Sequence, residues 1–136
     1  MMSPPNPGSP NTGPPNSRPE NKVRRLLVAE DEWLIVDRIE RALAGSRFEI
    51  AGRAASVDRA LSLLDGQHFD AAILDGNLAG ERTVALASRL AAAGIPFLLL
   101  TAYAPGQHLL PWGDAPVLTK PFAIKTLQAA VERLFV

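Results

Sequence analysis

Short apolar blocks and amphipathic stretches alternate along most of the chain. Val23 to Ala29 reads as a buried strand, its apolar run from Leu26 to Ala29 preceded by Arg24-Arg25, and from Trp33 to Ala44 the spacing becomes helical, with Ile35, Ile39, Ala42 and Leu43 on one face. Gly45 ends that helix. Phe48 to Ala54 predicts a second strand, and Ser56 is placed to N-cap a helix carrying Val57, Ala60, Leu61 and Leu64 at helical spacing, closed by Gly66. A third strand is predicted over Phe69 to Asp75, then a loop from Gly76 to Gly80 and an Ala-rich helix from about Glu81 to Ala93. Gly94-Ile95-Pro96 resets the chain for a fourth strand, Phe97 to Thr101.

Between that strand and the next, Ala104 to Ala115 carries Pro105, Gly106, Pro111 and Gly113, which leave room for a short, mobile fourth helix of one or two turns. A fifth, short strand runs from Pro116 to Thr119, and the last helix from Phe122 to about Phe135 buries Ile124, Leu127, Val131 and Leu134. Five strands alternating with helices predict an α/β fold, a doubly wound parallel sheet with right-handed crossovers.

The first 22 residues break the pattern. They hold seven prolines with Asn, Ser and Gly and almost no large apolar side chain, so they cannot offset the entropy of ordering. The chain is therefore divided into a disordered Pro-rich tail, 1–22, and one folded domain, 23–136.

Composition narrows the function. Fourteen basic and fourteen acidic residues give a formal net charge of zero, which removes the electrostatic footprint expected of a nucleic-acid or anionic-membrane binder. No cysteine is present, so disulfides and thiolate metal sites are excluded. The start of the chain lacks the basic and apolar regions of a secretory signal, and the longest apolar stretch, Leu90 to Leu100, is interrupted by Gly94 and Pro96 and falls short of the ~20 residues a spanning helix needs. The expectation is a cytoplasmic protein.

Chemistry gathers at the strand ends. Glu30-Asp31-Glu32 follows the first strand, Asp75 ends the third, Thr101 ends the fourth, and Lys120-Pro121 follows the fifth. If the strands are parallel, these side chains meet around one crevice at the carboxyl edge of the sheet, where open α/β sheets bind ligands. Acids so close repel by roughly 4 kcal/mol per pair at about 4 Å and intermediate dielectric, so a cation is expected among them. Hard oxygen donors without His or Cys favour Mg²⁺, with Asp31 and Asp75 as direct ligands, Glu30 through water, and a backbone carbonyl best placed at Asn77. With Lys120 and Thr101, the metal would neutralise a transferring phosphoryl group, and Asp75 would accept it as an acyl phosphate.

Ala29-Glu30-Asp31-Glu32, Ile73-Leu74-Asp75, Leu100-Thr101-Ala102 and Lys120-Pro121-Phe122 resemble, in order and spacing, the receiver domain of two-component response regulators. The resemblance covers 23–136. It implies the flavodoxin-like strand order 2-1-3-4-5, and a phosphoprotein that takes a phosphoryl group on Asp75 from a sensor histidine kinase or histidine phosphotransfer protein. Glu30 and Asp31 would be its acidic pair, Thr101 its switch hydroxyl and Lys120 its lysine. Val117 stands where many receivers place an aromatic switch, and Tyr103 is assigned that role instead. Phe97 to Tyr103 is also similar to the stand-alone alphaproteobacterial receivers with a Phe-Ala-Thr-Gly-Tyr motif, although a leucine and Ala102 stand where that motif has alanine and glycine.

The resulting expectation is a single-domain response regulator, monomeric or dimerising on phosphorylation, that signals by binding another protein and catalyses only its own Mg²⁺-dependent phosphorylation and dephosphorylation. The alternative is a receiver-like binding module indifferent to phosphate. An aspartyl-nucleophile phosphatase fits less well, because Asn77 stands where that chemistry wants a second acid. Glu32 is read as a solvated first-turn acid, Trp33 and Trp112 as partly buried aromatics, and His68 and His108 as isolated from the acids.

Overall fold

The computed structural model describes residues 22–102 and 112–136. Apart from Lys22, the Pro-rich tail lies outside them, as do Tyr103 and most of the segment read as a fourth helix. The described elements are β1 (Arg24–Ala29), α1 (Trp33–Leu43), β2 (Phe48–Ala54), α2 (Val57–Gly66), β3 (Ala71–Asp75), β4 (Asn77–Leu78), β5 (Glu81–Arg82), α3 (Val84–Ala92), β6 (Phe97–Thr101), β7 (Val117–Thr119) and α4 (Ile124–Arg133).

Five strands pair in parallel in the order β2-β1-β3-β6-β7. This is the flavodoxin-like order 2-1-3-4-5 with the two hairpin strands set aside. Successive side chains of a strand point to opposite faces, and the core divides accordingly. Leu26, Val28, Ala71, Ile73, Leu98 and Leu100 pack with Ile39, Ala42 and Leu43 of α1 and Leu127, Ala130 and Val131 of α4. Leu27, Ala29, Ala72, Leu74, Phe97 and Leu99 face the other way, onto Val57, Ala60 and Leu63 of α2 and Leu86, Ala87 and Leu90 of α3. Burial on both faces explains the continuous apolar runs Leu26 to Ala29 of β1, Ala71 to Leu74 of β3 and Phe97 to Leu100 of β6.

Ser56 caps α2 as expected, its side chain accepting from the Arg59 backbone N–H. The segment after β3 departs from expectation. Residues 76–80 are not a plain loop: Asn77–Leu78 and Glu81–Arg82 form an antiparallel hairpin, and α3 starts at Val84 rather than Glu81. Ala79 (φ 52°) and Gly80 (φ 85°) both take positive φ, the pattern of a two-residue type I′ hairpin turn, which draws Glu81 and Arg82 into pairing despite their helix propensity. This hairpin lies directly after the strand that ends in Asp75.

Candidate phosphoacceptor site

The backbone of Glu32 is extended (φ −86°, ψ 111°). Alternation along residues 30–32 turns Glu30 and Glu32 to one side and Asp31 to the other. Glu30 is buried, with its backbone N–H held by Ala54 at 3.0 Å, and its Oε2 accepts from the Glu32 N–H at 3.1 Å. Carboxylate oxygens of Glu30, Glu32 and Asp75 all come within 4.8 Å of one another. Asp31 is exposed and is not in that group. The juxtaposition expected of Asp31 and Asp75 is thus made by Glu30, Glu32 and Asp75, and Glu32 is more than a solvated helix-terminal acid. Glu32 stands at the N-cap position of α1 without capping it, its Oε1 meeting Lys120 instead.

Lys120 joins the acids. Its Nζ lies 2.8 Å from Glu30 Oε1, 3.1 Å from Glu32 Oε1 and 3.1 Å from Asp75 Oδ2. The lysine is delivered by β7, its backbone N–H bonding the Thr101 carbonyl at 2.7 Å, and the following Lys120–Pro121 bond is cis. Burial disfavours the ammonium, but the bond to Glu30, the charge of Asp75 and the bond to Glu32 overcome it and hold the Lys120 pKa above the ordinary lysine range. Burial dominates at Glu30 and, with the Asp75 charge, raises its pKa to about 7 against the opposing pull of Lys120 and the Glu32 N–H.

The two oxygens of Asp75 are distinguished by their partners. Oδ2 faces Lys120, and Oδ1 accepts from the Asn77 backbone N–H at 3.1 Å. The Asp75 carbonyl accepts from Thr83 Oγ1 at 2.7 Å, and Thr83 Oγ1 receives Trp112 Nε1 at 3.1 Å. Thr83 is fully buried and Trp112 nearly so, which corrects the expectation of a partly buried Trp112; Trp33, by contrast, is 74% exposed on α1. His68 is away from the acids, pairing with Asp70 at 3.0 Å.

A cavity of about 530 Å³ opens at this strand edge, lined among others by Asp75, Asn77, Thr101, Lys120, Arg82 and Trp112. Thr101 is buried at the end of β6, beside Thr119 in the sheet register. Val117 is half-buried against the core, and Tyr103, proposed to replace an aromatic there, lies outside the described residues. Three carboxyl groups, those of Glu30, Glu32 and Asp75, meet one ammonium here, and every acidic donor is oxygen. That donor set fits a hard divalent cation such as Mg²⁺.

The family model of the response regulator receiver domain matches residues 26–132. The chain belongs to the response regulator receiver family. Its receiver domain is 33% identical over 113 residues to the transcriptional regulatory protein PdtaR of Mycobacterium tuberculosis, a match covering 80% of this chain and 55% of that protein. The chain therefore spans about half the length of the curated relatives it matches. Among solved structures, SdrG from Sphingomonas melonis Fr1 superposes with a TM-score of 0.72 at 34% identity, covering 84% of this chain and 98% of SdrG. The response regulator PhyR from Brucella abortus gives 0.73 at 29% identity, covering 85% of this chain and 50% of PhyR.

Three contributors to the site, Glu32, Thr83 and Arg82, are not apparent from the sequence. A period-two reading of residues 30–32 was the available signal for Glu32. Thr83 and Arg82 depend on the hairpin turn at Ala79-Gly80, which the helix-forming character of Glu81 concealed.

Proposed function

We propose that this receiver accepts a phosphoryl group on Asp75 from a histidine kinase or phosphotransfer protein, and passes the signal to another protein through a changed surface. The observation that carries this reading is the position of Lys120 Nζ, within 3.1 Å of the carboxylates of Glu30, Glu32 and Asp75. Such a cluster is costly to fold and useful for stabilising a transferring anion.

Asp75 Oδ2 attacks phosphorus, a new O–P bond forms, and the donor's N–P or O–P bond breaks, its electron pair leaving with the donor, which takes a proton from solvent. Asn77 N–H holds Oδ1 and fixes the carboxylate plane. Lys120 shifts its charge toward the phosphoryl oxygens, and Thr101 supplies a hydroxyl donor from the same cavity. When bound, Mg²⁺ supplies Lewis-acid neutralisation of those oxygens. Its proposed holders are Glu30, Asp31, Asp75 and the Asn77 backbone carbonyl, with Glu32 added by the geometry of the carboxylates. Asp31 enters by family resemblance, from the exposed rim.

Among the described residues no helix is long and apolar enough to cross a membrane. The proposed setting is cytoplasmic, where histidine kinases present their phosphoryl groups. Incubation with acetyl phosphate and Mg²⁺, read by intact mass, tests the proposal. A Mg²⁺-dependent gain of one phosphoryl mass, absent in Asp75→Ala, supports it; no gain, or a gain that persists in Asp75→Ala, refutes it and favours a phosphate-indifferent binding module.

A further inference from the structure

Lys120 is heavily committed, its one ammonium shared by three carboxylates. A phosphoryl dianion entering this cavity meets Glu32 and Asp75 on its walls, and Lys120 alone cannot serve the acids and the phosphoryl oxygens together. A second cation lines the same cavity. Arg82, on β5 opposite Asn77, has its guanidinium 4.9 Å from the centroid of the Trp112 ring. Among the described residues no carboxylate pairs with the Arg82 side chain.

We infer that Arg82 is a phosphoryl-binding residue of this receiver, a second cation that the β4–β5 hairpin brings to the Asp75 cavity and the Trp112 ring holds in place. A guanidinium resting over an indole is held by cation–π attraction and keeps N–H donors for a fork suited to two oxygens of a phosphoryl group. The ring is itself fixed. Its Nε1–H is bound to Thr83 Oγ1, which in turn holds the Asp75 carbonyl, so arginine, indole and phosphoacceptor strand are tied by consecutive contacts of 4.9, 3.1 and 2.7 Å. The ligand is defined by its chemistry: the dianionic phosphoryl group of the donor, and of the acyl phosphate it leaves behind. This inference rests on the assignment of Asp75 as phosphoacceptor.

Two measurements on the full chain test it, in Arg82→Ala and Arg82→Lys. The first is the acetyl phosphate concentration giving half-maximal labelling in Mg²⁺. The second is the affinity for beryllofluoride, a non-transferable phosphoryl mimic, followed by Trp112 fluorescence with Trp33→Phe removing the exposed indole. Arg82 is exposed on a two-residue strand, and circular dichroism checks that each variant is folded. The expected result is an increase of about tenfold in both concentrations for Arg82→Ala, equivalent to about 1.4 kcal/mol. Arg82→Lys, which keeps the charge and loses the fork, is expected to fall between. A wild type that labels, with both variants within twofold of it in both measurements, overturns the role of Arg82 and leaves Asp75 standing. A wild type that neither labels nor binds beryllofluoride overturns both.

Discussion

Thr83 Oγ1 donates to the backbone carbonyl of Asp75 at 2.7 Å, from a position where threonine would ordinarily cap a helix. Thr83 stands at the N-cap of α3 but makes no side-chain cap there, since its hydroxyl is held between Asp75 and Trp112 Nε1. Thr83→Val keeps the shape and strands both partners in a buried setting. A loss of about 1–3 kcal/mol is expected in denaturant unfolding. A variant as stable as the wild type would show that the hydroxyl does not hold the end of β3.

Lys120→Ala leaves Glu30, Glu32 and Asp75 facing one another without a counter-charge. Removing one partner from a buried ion cluster costs roughly 3 kcal/mol, so unfolding in EDTA should occur at markedly lower denaturant. Mg²⁺ should restore much of the loss, because a dication replaces the missing ammonium. Destabilisation that Mg²⁺ leaves unchanged would contradict the assignment of these carboxylates as a cation site.

Gly52 packs where β2 runs out of simple register with β1, Leu26 pairing with Ile50 and Leu27 with Gly52. A Cβ at Gly52 would lie 2.9 Å from Phe69 Cζ and 3.3 Å from Leu63 Cδ1, and Phe69 is fully buried. Gly52→Ala should therefore destabilise by about 1–3 kcal/mol through overpacking. Adding Phe69→Leu should recover part of that loss in a double-mutant cycle, and strictly additive effects would place the strain elsewhere.

Asp70 sets a pH dependence away from the acid cluster. Its partial burial works to raise its pKa, but the Arg25 backbone N–H at 2.7 Å and His68 outweigh burial and bring it below the ordinary aspartate value. A carboxylate with a lowered folded-state pKa stabilises fully above its unfolded value, about 3.9, and loses that stabilisation as pH falls through the folded one. Asp70→Asn should thus be less stable than wild type at pH 7, and the gap should close as pH drops below about 4. A gap that is constant with pH would remove Asp70 as its source.

Much of this architecture is legible in the chain because burial on both faces of a parallel sheet writes strands as plain apolar runs. Phe48–Ala54 and Phe97–Thr101 begin and end where the pattern places them. The acids, Thr101 and Lys120 are legible as a set because parallel strands bring their carboxyl ends to one edge. Two local features are not. Which of Glu30, Asp31 and Glu32 turns inward depends on the backbone remaining extended to residue 32, a choice that residue types alone leave open. The Arg82–Trp112 contact depends on Ala79 taking positive φ, an uncommon conformation for alanine that helix propensity argues against.

The central claim is the identity of the group that takes up phosphate. Borohydride reduces an acyl phosphate to the alcohol, so the labelled chain, reduced and mapped by peptide mass spectrometry, should carry homoserine at position 75 and nowhere else. Aspartate intact at 75 with phosphate on Thr101 or another side chain would contradict the account.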